Sequence, residues 1–186
     1  MSPVFQKNPK TRTILVIVAI CFALMGSAWL VFGYFGLQAL FTERVVNDEL
    51  PVVSDSPVTT SSTVSVSPPP LSATGAFEQG DSTYTIKGTA SILQRENELV
   101  LALSDFSVTN GPDLYVYLLQ ASTTNNNVVK SVVNGGQFYE VAQLKGNRGN
   151  QVYTLPPGTV VDDQTVVSIW CKRFSRNFGS AKLEKQ

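Results

Sequence analysis

The sequence predicts an all-β domain, a small antiparallel β-sandwich or barrel-like fold, preceded by one transmembrane helix and a disordered linker. Three observations carry this expectation. Residues 14–40 form an apolar stretch without a single charge; residues 41–74 are dominated by Ser, Thr, Val and Pro; and residues 75–186 break into short β-prone runs separated by turn residues. Short strands at a spacing of roughly 8 to 12 residues are the pattern of sandwiches and barrels.

The N-terminal part reads as a cytoplasmic tail over residues 1–13 and a membrane span over 14–40. As a helix the apolar stretch would reach roughly 40 Å at about 1.5 Å per residue, enough to cross a hydrocarbon core of ~30 Å with some tilt. Lys7, Lys10 and Arg12 precede it, while Glu43, Arg44, Asp48 and Glu49 follow. The basic flank belongs on the cytoplasmic side, so the expected topology is single-pass, with the C-terminal domain extracytoplasmic. A cleaved signal peptide competes through the small residues Gly26 and Ala28. The apolar run, however, continues well past them, beyond the usual 7 to 15 residues. Cys21 follows Ile20, where a lipoprotein site would require a small residue.

Residues 41–74 are expected to act as a spacer: from Leu50 onward the chain, with Ser67-Pro68-Pro69-Pro70 and hardly any aromatic or charged residue, has a composition unable to bury a core. The expected strands of the domain at 75–186 are 84–93, 99–103, 113–120, 138–141, 151–155 and 166–174. Turns fall at Asn110-Gly111-Pro112, Asn125-Asn126-Asn127, Asn134-Gly135-Gly136, Gly146-Asn147-Arg148-Gly149 and Pro156-Pro157-Gly158. In the third run Leu114, Val116 and Leu118 share one face and Tyr115 and Tyr117 the other, the signature of a central strand covered on both sides.

Composition excludes several functions. The chain has 14 Lys and Arg against 14 Asp and Glu, and no histidine. Charge balance argues against a nucleic-acid partner, which would demand a basic face. Without imidazole there is no Ser-His-Asp or Cys-His catalysis, and no metal site of the common histidine-bearing kinds is expected. The two cysteines, Cys21 and Cys171, fall in different segments and are not expected to bridge.

Five ordered blocks then stand out: Gly88-Thr89-Ala90-Ser91-Ile92; Gly111 to Leu118; Leu144 to Tyr153; Ile169-Trp170-Cys171-Lys172-Arg173-Phe174; and Phe178-Gly179 with Ala181 and Leu183. Together they resemble the DM-thirteen domain family, over about residues 75–184. The resemblance implies a small extracytoplasmic electron-transfer module in which one cysteine, here Cys171, works as a free thiol or as the ligand of a cofactor.

Cys171 is therefore the redox or cofactor candidate, with Arg173, Lys172, Asp113 and Trp170 as supporting candidates. Alternation with Val167 and Ile169 places Cys171 on an apolar face, where a free cysteine behaves as a small hydrophobe. Against that, Lys172, Arg173 and Arg176 follow closely, and positive charge near a thiol favours the thiolate. A single thiolate is able to ligate haem without histidine, although so small a domain would need an open face or a partner to cover it. Trp170 is expected to face away from Cys171, and Asp113 to serve the tight turn after Gly111-Pro112. The 146–151 loop reads as turn chemistry whose amides are also able to cradle a ligand. Two functions remain open on the sequence: a tethered redox module acting with a partner protein, and a non-catalytic adhesion or scaffolding module with a structural cysteine.

Overall fold

The computed structural model describes residues 9–30, 43–51, 71–95 and 97–186, and the chain divides into two units, 1–41 and 42–186. The first unit contains α1 (Pro9–Trp29). Among the described residues no helix is long and apolar enough to cross a membrane. Of the 21 residues of α1, the first four include Lys10 and Arg12. The uncharged remainder, at about 1.5 Å per residue, falls short of a ~30 Å hydrocarbon core. The span expected over 14–40 is thus not supported by the described helix; residues 31–40 lie outside the described residues.

The second unit is mostly β, as the sequence predicts. Its strands are β1 (Leu71–Ala76), β2 (Glu78–Gln79), β3 (Ile86–Arg95), β4 (Glu98–Val108), β5 (Leu114–Gln120), β6 (Phe138–Gln143), β7 (Gln151–Thr154), β8 (Thr165–Cys171), β9 (Arg176–Lys182) and β10 (Glu184–Lys185), with a short helix α2 (Asn126–Asn134) between β5 and β6. They form two antiparallel sheets, in the orders β10-β1-β3-β4-β7 and β2-β9-β8-β5-β6. The expected runs correspond to β3 through β8; β1, β2, β9 and β10 complete the sheets.

Alternation decides what lies between the sheets. Ile92, Leu101 and Leu103 of the first sheet meet Leu114, Val116, Leu118, Val167, Ile169 and Phe178 of the second in one continuous core. The opposite face of β5 and β8 is also apolar, and α2 covers it with Val129 and Val133 over Tyr117, Leu119, Val166 and Trp170. β5 is accordingly an interior strand, buried on both sides as its sequence predicts. Burying each large apolar side chain contributes about 1.5–3 kcal/mol, so these two layers dominate the stability of the domain.

The Asn125-Asn126-Asn127 cluster, expected as a turn, opens α2. The Asn125 side chain accepts from the Asn127 N–H at 3.0 Å, an N-cap interaction. Asn126 then ties the helix to the sheet, donating to Asp81 Oδ1 at 2.9 Å and accepting from Asn177 Nδ2 at 3.1 Å.

The linker also differs from expectation at both described ends. Residues 43–51 form an ordered strap that belongs to the domain unit, and β1 begins at Leu71. The rest of that stretch, residues 52–70, lies outside the described residues.

Gly88 shows why the first block noted in the sequence, Gly88-Thr89-Ala90, has its form. It sits at the register shift between Lys87 and Thr89 with φ +116°, and a Cβ there would lie 2.7 Å from the Ser104 carbonyl oxygen and 2.8 Å from the Phe106 Cα. Both obstacles are backbone, so nothing yields cheaply. Gly88→Ala is expected to lower unfolding stability by about 2–3 kcal/mol in a urea titration. Gly136→Ala, also left-handed but facing open space, is expected to cost only about 1 kcal/mol. Equal losses would show that the Gly88 contact does not matter.

Candidate functional site

Cys171 is the last residue of β8, and its side chain is wholly out of water. It pairs with Leu114 on β5 and Arg176 on β9 and packs into the core between the sheets with Leu114, Ile169 and Phe178. Trp170, one residue earlier, points to the opposite face and lies in the layer under α2, as alternation along a strand requires.

The chain turns immediately after Cys171, through residues 172–175, with Ser175 in the left-handed region at φ 50°. That turn ends the strand alternation, so Arg173, close to Cys171 in sequence, does not continue its face. Arg173 is exposed on the turn, and its contribution to the sulfur comes from its backbone. The Lys172 N–H donates to the Asp113 carbonyl at 3.0 Å, joining the turn to the 111–113 loop. The Lys172 ammonium is engaged on the outer face: it pairs with Glu140 at 2.8 Å and lies 4.2 Å from the centre of the Tyr115 ring. Glu140 accordingly holds the Lys172 pKa above its ordinary value.

The balance of forces on the thiol follows the first of the two sequence readings, a cysteine buried on an apolar face. Burial pushes the Cys171 pKa up, and the charge of Asp113 adds to this. The backbone N–H groups of Phe174, Arg173 and Asp113 act in the opposite sense without overcoming burial. The nearby cations do not lower it because Lys172 is drawn to Glu140 and the arginines lie at the strand's exposed end. What the structure assembles is a buried thiol whose nearest counterweights to burial are the backbone N–H groups of Phe174, Arg173 and Asp113.

Around Trp170 the other candidates form an aromatic array. The Tyr117 ring lies 6.3 Å from Trp170, 4.2 Å from Phe138 and 6.5 Å from Tyr115, centre to centre. Burial, with Glu140 next in weight, raises the Tyr117 pKa to about 12, so its phenol stays neutral.

A haem ligated by Cys171 does not fit. The sulfur has no exposed surface, and displacing Leu114, Ile169 and Phe178 to admit a macrocycle would open the core. Two described cavities, of about 390 and 250 Å³, lie elsewhere, around Phe138 and Val160 and around Asn97 and Leu155. Among the described residues no group of three or more Cys, Asp or Glu side chains is placed to hold a metal ion.

The 146–151 loop is a cradle, and the chain itself fills it. Val46 N–H donates to the Arg148 carbonyl and Asp48 N–H to the Asn150 carbonyl, both at 2.9 Å; the Arg44 N–H donates to Asn147 Oδ1 at 2.6 Å. The Asp48 carboxylate receives Lys145 Nζ at 2.5 Å and the Val152 N–H at 2.9 Å, and these donors hold its pKa below the usual carboxylate range. Side chains at 146 and 149 would collide with the strap backbone at Arg44 and Val46, which explains both glycines. This strap is what the sequence reading missed. Its signal was the β-prone Arg44-Val45-Val46, which the Pro- and Ser-rich run after it obscured.

A native Cys171 is expected to resist maleimide at pH 8 in a Cys21→Ser background and to label fully after denaturation. Cys171→Ala should lower stability by very roughly 1 kcal/mol or more. Rapid labelling of the folded chain would contradict the sealed geometry.

The comparisons agree with the blocks noted in the sequence. The family model described as Electron transfer DM13 matches residues 77–183, more than half of the chain. Neither the curated proteins nor the solved structures give a match. With the match spanning both sheets, the Cys171 turn and the 146–151 cradle, the chain belongs to the electron transfer DM13 family.

Proposed function

We propose that this chain is a membrane-anchored, extracytoplasmic redox module in which Cys171 is the group that exchanges electrons with a partner protein. The carrying observation is the Cys171 sulfur, sealed from water and faced by the amides of Phe174, Arg173 and Asp113 within a domain of an electron-transfer family. Such a thiol is shielded from disulfide exchange, which requires contact between sulfurs. Electron exchange does not require that contact. In the proposed step the sulfur gives one electron to a one-electron acceptor protein and its proton passes to the half-buried Asp113 carboxylate, whose charge acts on the sulfur, and from there to solvent; the reverse step restores the thiol. Trp170, Tyr117 and Tyr115 form a row of aromatic rings on the other face of β8 and β5, reached from the sulfur only through the strand.

Anchorage rests on the apolar run. From Ile14 to Trp29 the side chains of α1 are exposed and apolar on all sides, including Phe22 at 69% and Leu24 at 63%. A helix of that kind needs an apolar surrounding, in a protein core or in lipid. The sequence continues uncharged to residue 40, and the basic flank at Lys7, Lys10 and Arg12 supports a cytoplasmic N-terminus.

The adhesion or scaffolding reading is favoured by one fact, the full burial of Cys171 among core residues. Voltammetry separates the two. With Cys21→Ser as the parent, the redox reading expects a reversible couple that disappears in Cys171→Ser. No couple, or one that survives this substitution, would leave the scaffolding reading. For the topology, protease added to spheroplasts is expected to remove the domain while a fragment stays in the membrane. A soluble product beginning near Trp29 would show a cleaved leader instead.

A further inference from the structure

β6 and β7 each end one of the two sheets, and a cavity of about 390 Å³ lies between the start of β6 and the loop that follows β7. It is lined from β5 by Leu118, from β6 by Phe138 and Tyr139, and from the loop by Pro156, Pro157 and Val160. Two loops that the fold needs only as connections thus meet over an apolar surface.

Both sides of the cavity are held in place. The 156–160 loop is anchored at each end: Leu155 is buried and its N–H donates to the Leu99 carbonyl at 2.8 Å, while Val161 packs on the main core. Within the loop the Thr159 N–H and hydroxyl both donate to the Pro156 carbonyl, at 3.2 and 2.8 Å. On the other side Phe138 stacks on Tyr117 with ring centres 4.2 Å apart, and the Gln137 N–H donates to the Val132 carbonyl at 3.1 Å. The site is therefore formed before any ligand arrives, as small-molecule sites mostly are, and its volume falls in their usual range of about 300–1,000 Å³.

The lining also states what it accepts. None of the described residues around the cavity is charged; its polar side chains are the amides of Gln120 and Gln137, the Thr159 hydroxyl and the Tyr139 phenol. A charged ligand would lose hydration there with no counter-charge to replace it. Rings on one side and prolines on the other suit a flat molecule, which covers them face-on. Tyr139 and Val160 are 49% and 67% exposed, apolar area that such a molecule would take out of water. The amide nitrogens are donors, so carbonyl oxygens on the ligand have partners to meet. We infer that this cavity binds an uncharged, flat ring compound bearing carbonyl oxygens, the chemistry of a quinone. The inference concerns binding alone and does not depend on the chemistry of Cys171. A ring seated here lies at the Phe138 end of the stack that Tyr117 and Trp170 continue.

The probe is duroquinone, whose fully substituted ring does not add to thiols, titrated into the full chain in mild detergent and followed by amide chemical shifts. Saturable shifts are expected at Phe138, Tyr139, Thr159 and Val160. Val160→Asp sets a charge beside the cavity on a side chain already in water, and is expected to weaken binding about tenfold or more. Val45→Asp, at a valine of the strap that is 61% exposed, is expected to leave binding unchanged, which separates the cavity from general effects of charge or of partition into detergent. Shifts at these amides that do not saturate, or equal weakening by the two variants, would overturn the inference. So would maltotriose shifting the same amides where duroquinone does not, a result that would give the cavity to a sugar.

Discussion

All seven residues of β8, Thr165 to Cys171, are out of water, and what lies on either side of that strand follows from this double burial. A strand that puts Val167, Ile169 and Cys171 toward one layer must put Val166, Ser168 and Trp170 toward another. The first set finds the opposing sheet. The second requires a separate cover, and α2 supplies it through Val129 and Val133. Cys171 and Trp170, adjacent in sequence, therefore belong to different compartments. A change at one reaches the other only through the strand.

Double burial also compels the polar residues of the strand to find partners. Ser168 lies within 3.1 Å of Asn177 Oδ1, and the same oxygen accepts from the Gly179 N–H at 3.1 Å and lies 3.2 Å from the Ser180 hydroxyl. Leaving any of these groups unbonded would cost about 1–3 kcal/mol, as much as a large core side chain contributes. Asn177 then passes the constraint outward to Asn126, and Asn126 to Asp81. The helix that covers β8 is thus positioned by the polar network that β8 itself makes necessary.

This coupling explains which features were legible in the sequence. β3 through β8 could be read from alternation and turn residues because each strand carries its own periodicity. The both-face apolar pattern of Leu114 to Leu118 identified an interior strand for the same reason. α2 could not be read as easily. Its Val128-Val129 and Val132-Val133 pairs do repeat with a helical spacing, but four valines in a short segment are poor helix formers and argue locally for a strand or a loop. The uncovered face of β5 and β8 decides the matter, and that demand exists only in three dimensions. β9 was obscured by Gly179 and Ser180, small residues of low strand propensity that fit where Ile86 and the Glu78 backbone approach closely. The strap escaped because its partner is 100 residues away, and a contact of that separation leaves no local pattern in either segment.

The site illustrates the same limit in electrostatic terms. Lys172, Arg173 and Arg176 are near Cys171 in sequence, and proximity in sequence suggested a lowered thiol pKa. A charge acts through distance and dielectric, however: the sulfur stays inside the sandwich while Lys172 and Arg173 leave with the turn and Arg176, opposite Cys171 at the start of β9, is exposed. Lys172 is further committed to Glu140 and the Tyr115 ring. What remains near the sulfur is desolvation opposed by backbone amides, with the Asp113 charge reinforcing desolvation. A thiol under those forces stays protonated at neutral pH and is a poor nucleophile. Any redox chemistry at this position therefore couples loss of an electron to loss of the thiol proton, and the three amides are the groups placed to stabilise negative charge on the sulfur whenever that proton has left.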